Sequence, residues 1–136
     1  MEEPQIYARL TEIFEELDEK PTGKKCAAMA GLLEEGDETI SEDATPEVRD
    51  ALLIAAAQRI EHYEIAGYGT VKTYAHLLGH EDAAKLLEET LQEEMETDEK
   101  LTEAAEQINV EAKGEEESEE DQVEKTEPKK TSTRRN

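Results

Sequence analysis

The 136-residue chain has no tryptophan, one phenylalanine, one cysteine and only 15 basic residues against 37 acidic ones. Each shortage excludes something. A lone Cys26 rules out an intrachain disulfide and fits a reducing compartment. A net charge of −22 has the wrong sign for the phosphates of DNA or RNA and for anionic lipid. No apolar run approaches the ~18 residues of a membrane span. The acidic start "MEEPQIYARL" lacks the basic opening of a signal peptide. Nucleic acid and membrane are therefore excluded as expected partners, and the expected place is the cytoplasm. With so few aromatic residues, any core must come from Leu, Ile, Ala and Tyr, the habit of helical bundles.

What is present is helical periodicity. The first predicted helix runs from about Gln5 to Glu19, with the stripe Ile6, Leu10, Ile13, Leu17. Pro21 and Gly23 break it. The second runs from about Lys24 to Glu42, with Cys26, Met29, Leu33, Gly36 and Ile40 on one stripe. Thr45, Pro46 and Glu47 supply the cap, first turn and acidic start of a third helix reaching about Leu78. Gly79 stops it, and a fourth follows from about Glu81 to Ile108. Residues 1–110 are thus predicted to form one helical domain. From residue 111 the segment "EAKGEEESEEDQVEKTEPKKTSTRRN" holds one aliphatic residue, Val123. It is too polar to offset its ordering entropy, so 111–136 is predicted to be a disordered charged tail. No internal repeat, Gly-rich phosphate loop, zinc-type Cys/His cluster or Ser/His/Asp constellation is visible.

The inward stripe of the third helix reads Leu53, Ala57, Glu61, Glu64, Tyr68, Val71, Ala75, Leu78. That of the fourth reads Ala84, Leu87, Leu91, Glu94, Asp98, Leu101, Ala105, Ile108. Two carboxylates interrupt each stripe near its middle. In an antiparallel hairpin turning at Gly79 and His80, all four acids fall within about one helical turn of the same height. Clustered acids in an apolar bundle are costly unless a cation holds them. Hard oxygen donors suit iron or manganese, and helical bundles commonly host dinuclear carboxylate sites. Glu61, Glu64, Glu94 and Asp98 are therefore the candidate metal ligands. Chance placement of acids in so charged a chain is the competing explanation, with Glu61 or Asp98 turned toward Arg59 or Lys100. His62 lies about 100° off the stripe and is expected at its boundary. Tyr68 is either a hydrogen-bond donor to a carboxylate or plain core. Tyr63 and Tyr74 are expected to pack, His76 and His80 to face solvent, and Cys26 to be an inert buried thiol.

The segments "GKKCAAMAGLLEEG", "VRDALLIAAAQRIEHYEIAGYGT" and "LLEETLQEEMETDEKLTEAA" resemble the YciE/YciF-like family of ferritin-like proteins, over residues 9 to about 106. The resemblance implies an all-α, four-helix bundle with a dinuclear metal centre, similar in fold to ferritin and rubrerythrin, and an association with stress responses. It makes Glu61, Glu64 and Glu94 the best ligand candidates. Asp98 stands close to where relatives of this fold often place a histidine. The chain departs from the pattern at its front. "QIYARLTEIFEELDEKP" resembles the C-terminal half of the family's second helix, so the first helix and most of the second are expected to be lacking. Three explanations stand open: a misassigned start or truncated gene, a homodimer in which two half-sites make one bundle, or a hetero-oligomer in which a longer paralogue supplies the missing helices. The expected function is a cytoplasmic stress-associated protein with a di-iron or di-manganese carboxylate site. The alternative is a metal-free helical interaction module or a remnant of such a protein.

Overall fold

Helix ends fall where local backbone chemistry sets them. The computed structural model describes the backbone of residues 3–126 and the side chains of residues 5–114. Its elements are α1 (Glu3–Glu16), α2 (Ala27–Ser41), α3 (Pro46–Leu77) and α4 (Glu81–Thr126), so the described chain is all-α. α1 stops short of the predicted Glu19 because Asp18 takes a left-handed conformation, φ 53°. The amides of Asp18 and Glu19 then fold back onto the carbonyls of Glu15 and Phe14. The same closure ends α3. Gly79, at φ 79°, lets His80 N–H reach Ala75 C=O at 2.8 Å. Thr45 caps α3 as expected, its hydroxyl accepting from Val48 N–H at 3.4 Å.

A side chain at Gly79 would strain that turn, since left-handed backbone costs an L-residue about 1–2 kcal/mol. Gly79→Ala is expected to lower unfolding free energy by about 1 kcal/mol in urea denaturation. No change would mean that the turn is not held in this conformation in solution.

α3 and α4 form a long antiparallel hairpin, with α1 laid along α4 and α2 along α3. Its register shows in polar rungs: the Lys72–Glu88 ion pair, then His62–Asp98, then Gln58–Thr102. α4 buries the first half of its predicted stripe, with Ala84, Leu87 and Leu91 in the core, and half-buries the rest through Ile108. Ile13 of α1 closes over Ala75, Ala83, Ala84 and Leu87 at the turn end, with Leu10, Tyr68 and Leu86 packed against them. Arg9 fixes α1 on α4. Its guanidinium donates to both carboxylate oxygens of Glu93, at 2.7 and 2.5 Å, and to Thr90 Oγ1 at 3.2 Å.

Four expectations need correction. Residues 111–126 continue α4 and are helical, not a disordered tail; residues 127–136 lie outside the described residues. Glu, Lys and Gln are good helix formers, and the next proline is Pro128, so nothing local ends the helix at Val110. Val71 and Leu78, placed on the inward stripe, are exposed because α1 lies along α4 and leaves the far side of α3 open. α2 leans on α3 with Met29, Leu32, Gly36 and Thr39, so Leu33 and Ile40 face outward. Cys26 is exposed, and Tyr63 and Tyr74 stand at the surface rather than in the core.

Candidate metal centre

The site follows from two helices that face each other along their length. Glu61 and Glu64 are one turn apart on α3, so both side chains leave the same face. Glu94 leaves the facing side of α4 and is only 6% exposed. Each of the three offers a carboxylate oxygen, and these oxygens all lie within 4.8 Å of one another. Glu61 and Glu64 are half-buried, so the cluster lies at the edge of the core. Tyr68, one turn beyond Glu64, shares this space. Burial foremost, and then the charges of Glu64 and Glu94, raise its hydroxyl pKa above the ordinary tyrosine value. It therefore stays protonated at neutral pH and keeps a hydrogen to donate.

Asp98 does not join the three. It lies one turn further along α4, where His62 Nε2 approaches its Oδ2 at 3.0 Å and Gln58 Nε2 donates to its Oδ1 at 3.3 Å. Gln58 also donates to Thr102 Oγ1 at 2.8 Å. The four sequence-predicted acids thus separate into a cluster of three and an adjoining Asp98–His62–Gln58 group. His62 is at the boundary, with its ring mostly exposed. Gln58 had a visible signal, lying three residues before Glu61, but an amide on a charged stripe carries no signature of its own. His76 and His80 flank the turn, exposed, with His76 Nδ1 2.8 Å from Glu81.

Two further polar contacts escape the sequence because they join segments far apart in the chain. One is the Arg9–Glu93–Thr90 clasp beside Glu94, with Thr90 almost fully buried. The other is Cys26, which caps α2 by accepting from Met29 N–H and whose Sγ lies 2.9 Å from the Tyr63 hydroxyl. That hydroxyl foremost, and then the Met29 amide, lower the thiol pKa; the same bond raises that of Tyr63.

Three oxygen donors converging from opposed helices are a fitting donor set for a hard cation. No helix is long and apolar enough to cross a membrane among the described residues.

The family described as "Domain of unknown function (DUF892)" matches residues 3–113. Protein YciF of Escherichia coli strain K12 is 62% identical over 81 residues, which cover 60% of this chain and 49% of that protein. The chain therefore spans about half the length of that relative. The crystal structure of the E. coli stress protein YciF superposes with a TM-score of 0.74 at 51% identity, covering 77% of this chain and 67% of that one. YcfI of Rhodopseudomonas palustris gives a TM-score of 0.70 at 43% identity, covering 73% of this chain and 63% of its own. The match over most of the chain, in sequence and in helical architecture, makes this protein a member of the YciE/YciF-like family, the DUF892 proteins.

Proposed function

We propose that this chain is a cytoplasmic, stress-associated ferritin-like protein whose carboxylates hold iron, or alternatively manganese, in a dinuclear-type site. One observation carries the reading: the oxygens of Glu61, Glu64 and Glu94 lie within 4.8 Å of one another, delivered from two facing helices. Such ions, when bound, supply redox chemistry toward dioxygen or peroxide. The protein's part is positioning. Glu61 and Glu94, one from each helix, would be the principal ligands of a bound ion, with Glu64 beside them completing the donor set. Asp98, held by His62 and Gln58, stands behind as an outer partner. Tyr68 keeps its proton beside the charges of Glu64 and Glu94 and would serve as an outer hydrogen-bond donor to a ligand carboxylate. The likeness to the stress protein YciF supports the stress association.

The test is metal content per chain after anaerobic loading with ferrous iron or manganese, in the parent and in the double variant Glu61→Gln, Glu94→Gln. The parent is expected to retain metal through gel filtration. The variant is expected to lose it while its far-ultraviolet circular dichroism is unchanged. A parent that retains none removes the metal reading and leaves a metal-free helical module.

A further inference from the structure

The glutamate cluster can be approached from two sides of the hairpin, and the two differ in chemistry. Counting about 100° per residue from Glu94, Glu93 and Thr90 lie to one side of α4, and Asp98 and Thr102 to the other. α1 occupies the first side, through Arg9 on Glu93 and Thr90. There an apolar groove bordered by Leu10 reaches Glu64 and Tyr68. On the second side Gln58 and His62 of α3 meet Asp98 and Thr102 of α4, so this approach is polar.

The polar side is a row of metal-binding groups that leads inward. The His62 side chain is 68% exposed and that of Asp98 22%, and Glu94 beyond them is buried. His62 Nε2 stands 3.0 Å from Asp98 Oδ2. Gln58 donates to Asp98 Oδ1 at 3.3 Å and to Thr102 Oγ1 at 2.8 Å, which holds the carboxylate in place. Asp98 is one helical turn from Glu94, with about 5–6 Å between such Cβ atoms, and His62 follows Glu61 in the chain. Gln58 and Thr102 already tie the two helices here, and a ring this exposed adds little to that tie. An imidazole beside a carboxylate offers one nitrogen and one oxygen to a divalent transition ion.

We infer that His62 and Asp98 are the entry point of the cluster: they capture a divalent transition cation from solvent and pass it to Glu94 and Glu61. The inference rests on the metal reading and adds the route by which the site fills. A net charge of −22 gathers cations of every kind near the surface. The imidazole selects among them, because nitrogen suits manganese or ferrous iron and is a poor donor for magnesium or calcium. Two donors hold such an ion only loosely, and the three carboxylates further in form the larger donor set. His62 and Asp98 therefore act on the rate of filling. A residue that holds an ion only in passing alters arrival and departure by the same factor and leaves the equilibrium where it was. A resident ligand shifts the equilibrium itself.

Stopped-flow mixing of the metal-free full chain with manganese chloride tests it, followed by quenching of tyrosine fluorescence in a chain without tryptophan. Release into excess chelator gives the reverse rate. The electron paramagnetic resonance signal of free manganese gives affinity and stoichiometry. His62→Ala is expected to slow loading and release by about tenfold each, with the dissociation constant within about twofold of the parent's and helicity unchanged. His62→Glu is expected to restore both rates. A carboxylate cannot donate a hydrogen bond to Asp98, so the restoration can come only from a new ligand for the ion. A parent that binds no manganese would remove the metal reading and this inference with it. A parent that binds manganese while His62→Ala loads at the parental rate would overturn the entry route alone. Lost affinity at an unchanged loading rate would overturn it as well, since His62 would then be a resident ligand. His62→Glu as slow as His62→Ala would reduce the His62–Asp98 contact to a structural tie.

Discussion

Replacing Glu94 by leucine is expected to raise the melting temperature of the metal-free protein and to abolish its response to metal. Glu94 is buried on α4, and its carboxylate oxygen lies within 4.8 Å of those of Glu61 and Glu64. Without a cation, three such groups pay desolvation and mutual repulsion. Replacing a whole set of buried charged groups by apolar side chains of similar volume is often neutral or stabilising, by about 1–4 kcal/mol, and removing one of three like charges relieves their mutual repulsion in the same direction. For a domain near 100 residues each kcal/mol moves the melting temperature by about 4–8 °C. The parent gains its stability differently. A metal at about one hundred times its dissociation constant adds about 2.7 kcal/mol, a rise of about 10–20 °C. Differential scanning calorimetry of both proteins, with and without manganese, separates the two contributions. If Glu94→Leu melts lower than the metal-free parent, or if both proteins respond equally to metal, the three glutamates are not the site.

The second large effect is expected at Arg9→Ala. This side chain is the main polar tie between α1 and the hairpin, donating to both oxygens of Glu93 and to buried Thr90. Hydrogen bonds to charged partners contribute about 1.5–3 kcal/mol, and truncation leaves Glu93 half-buried without its cation. A loss of about 2–3 kcal/mol is expected in urea denaturation at neutral pH. Because α1 also covers Ala84 and Leu87 with Ile13, the loosened helix should speed hydrogen exchange at the turn end of the core first. Acid provides the control. The Arg9 hydrogen bond holds the Glu93 carboxyl below its ordinary pKa in the folded state. A depressed folded value means that the pair's stabilisation is fully present above the unfolded carboxyl pKa of about 4.3. It is lost as pH falls through the folded value. The stability gap between parent and Arg9→Ala should therefore narrow on acidification to about pH 3. A gap of the same size at both pH values would show that Arg9 acts through packing of its stem rather than through its charge.

Helix count, the Thr45 cap, the Gly79 stop and the level at which acids interrupt the two long stripes were all legible in the sequence. These depend on residue type, period 3.6 and one short turn, so local chemistry determines them. The hairpin register follows from the turn alone, and this is why the sequence by itself puts Glu61, Glu64 and Glu94 at one level. Tertiary structure decided the rest. Asp98 has the same seam position as its neighbours, but a pairing across the hairpin to His62 and Gln58 draws it out of the cluster. Cys26 reads as an apolar stripe residue until the start of α2 and the approach of Tyr63 make it a surface cap. α4 covers the inward stripe of α3, α2 leans on another side of it, and α1 settles along α4 with Arg9 on Glu93. No periodicity within a single helix encodes these choices, and the last is a contact between segments more than eighty residues apart.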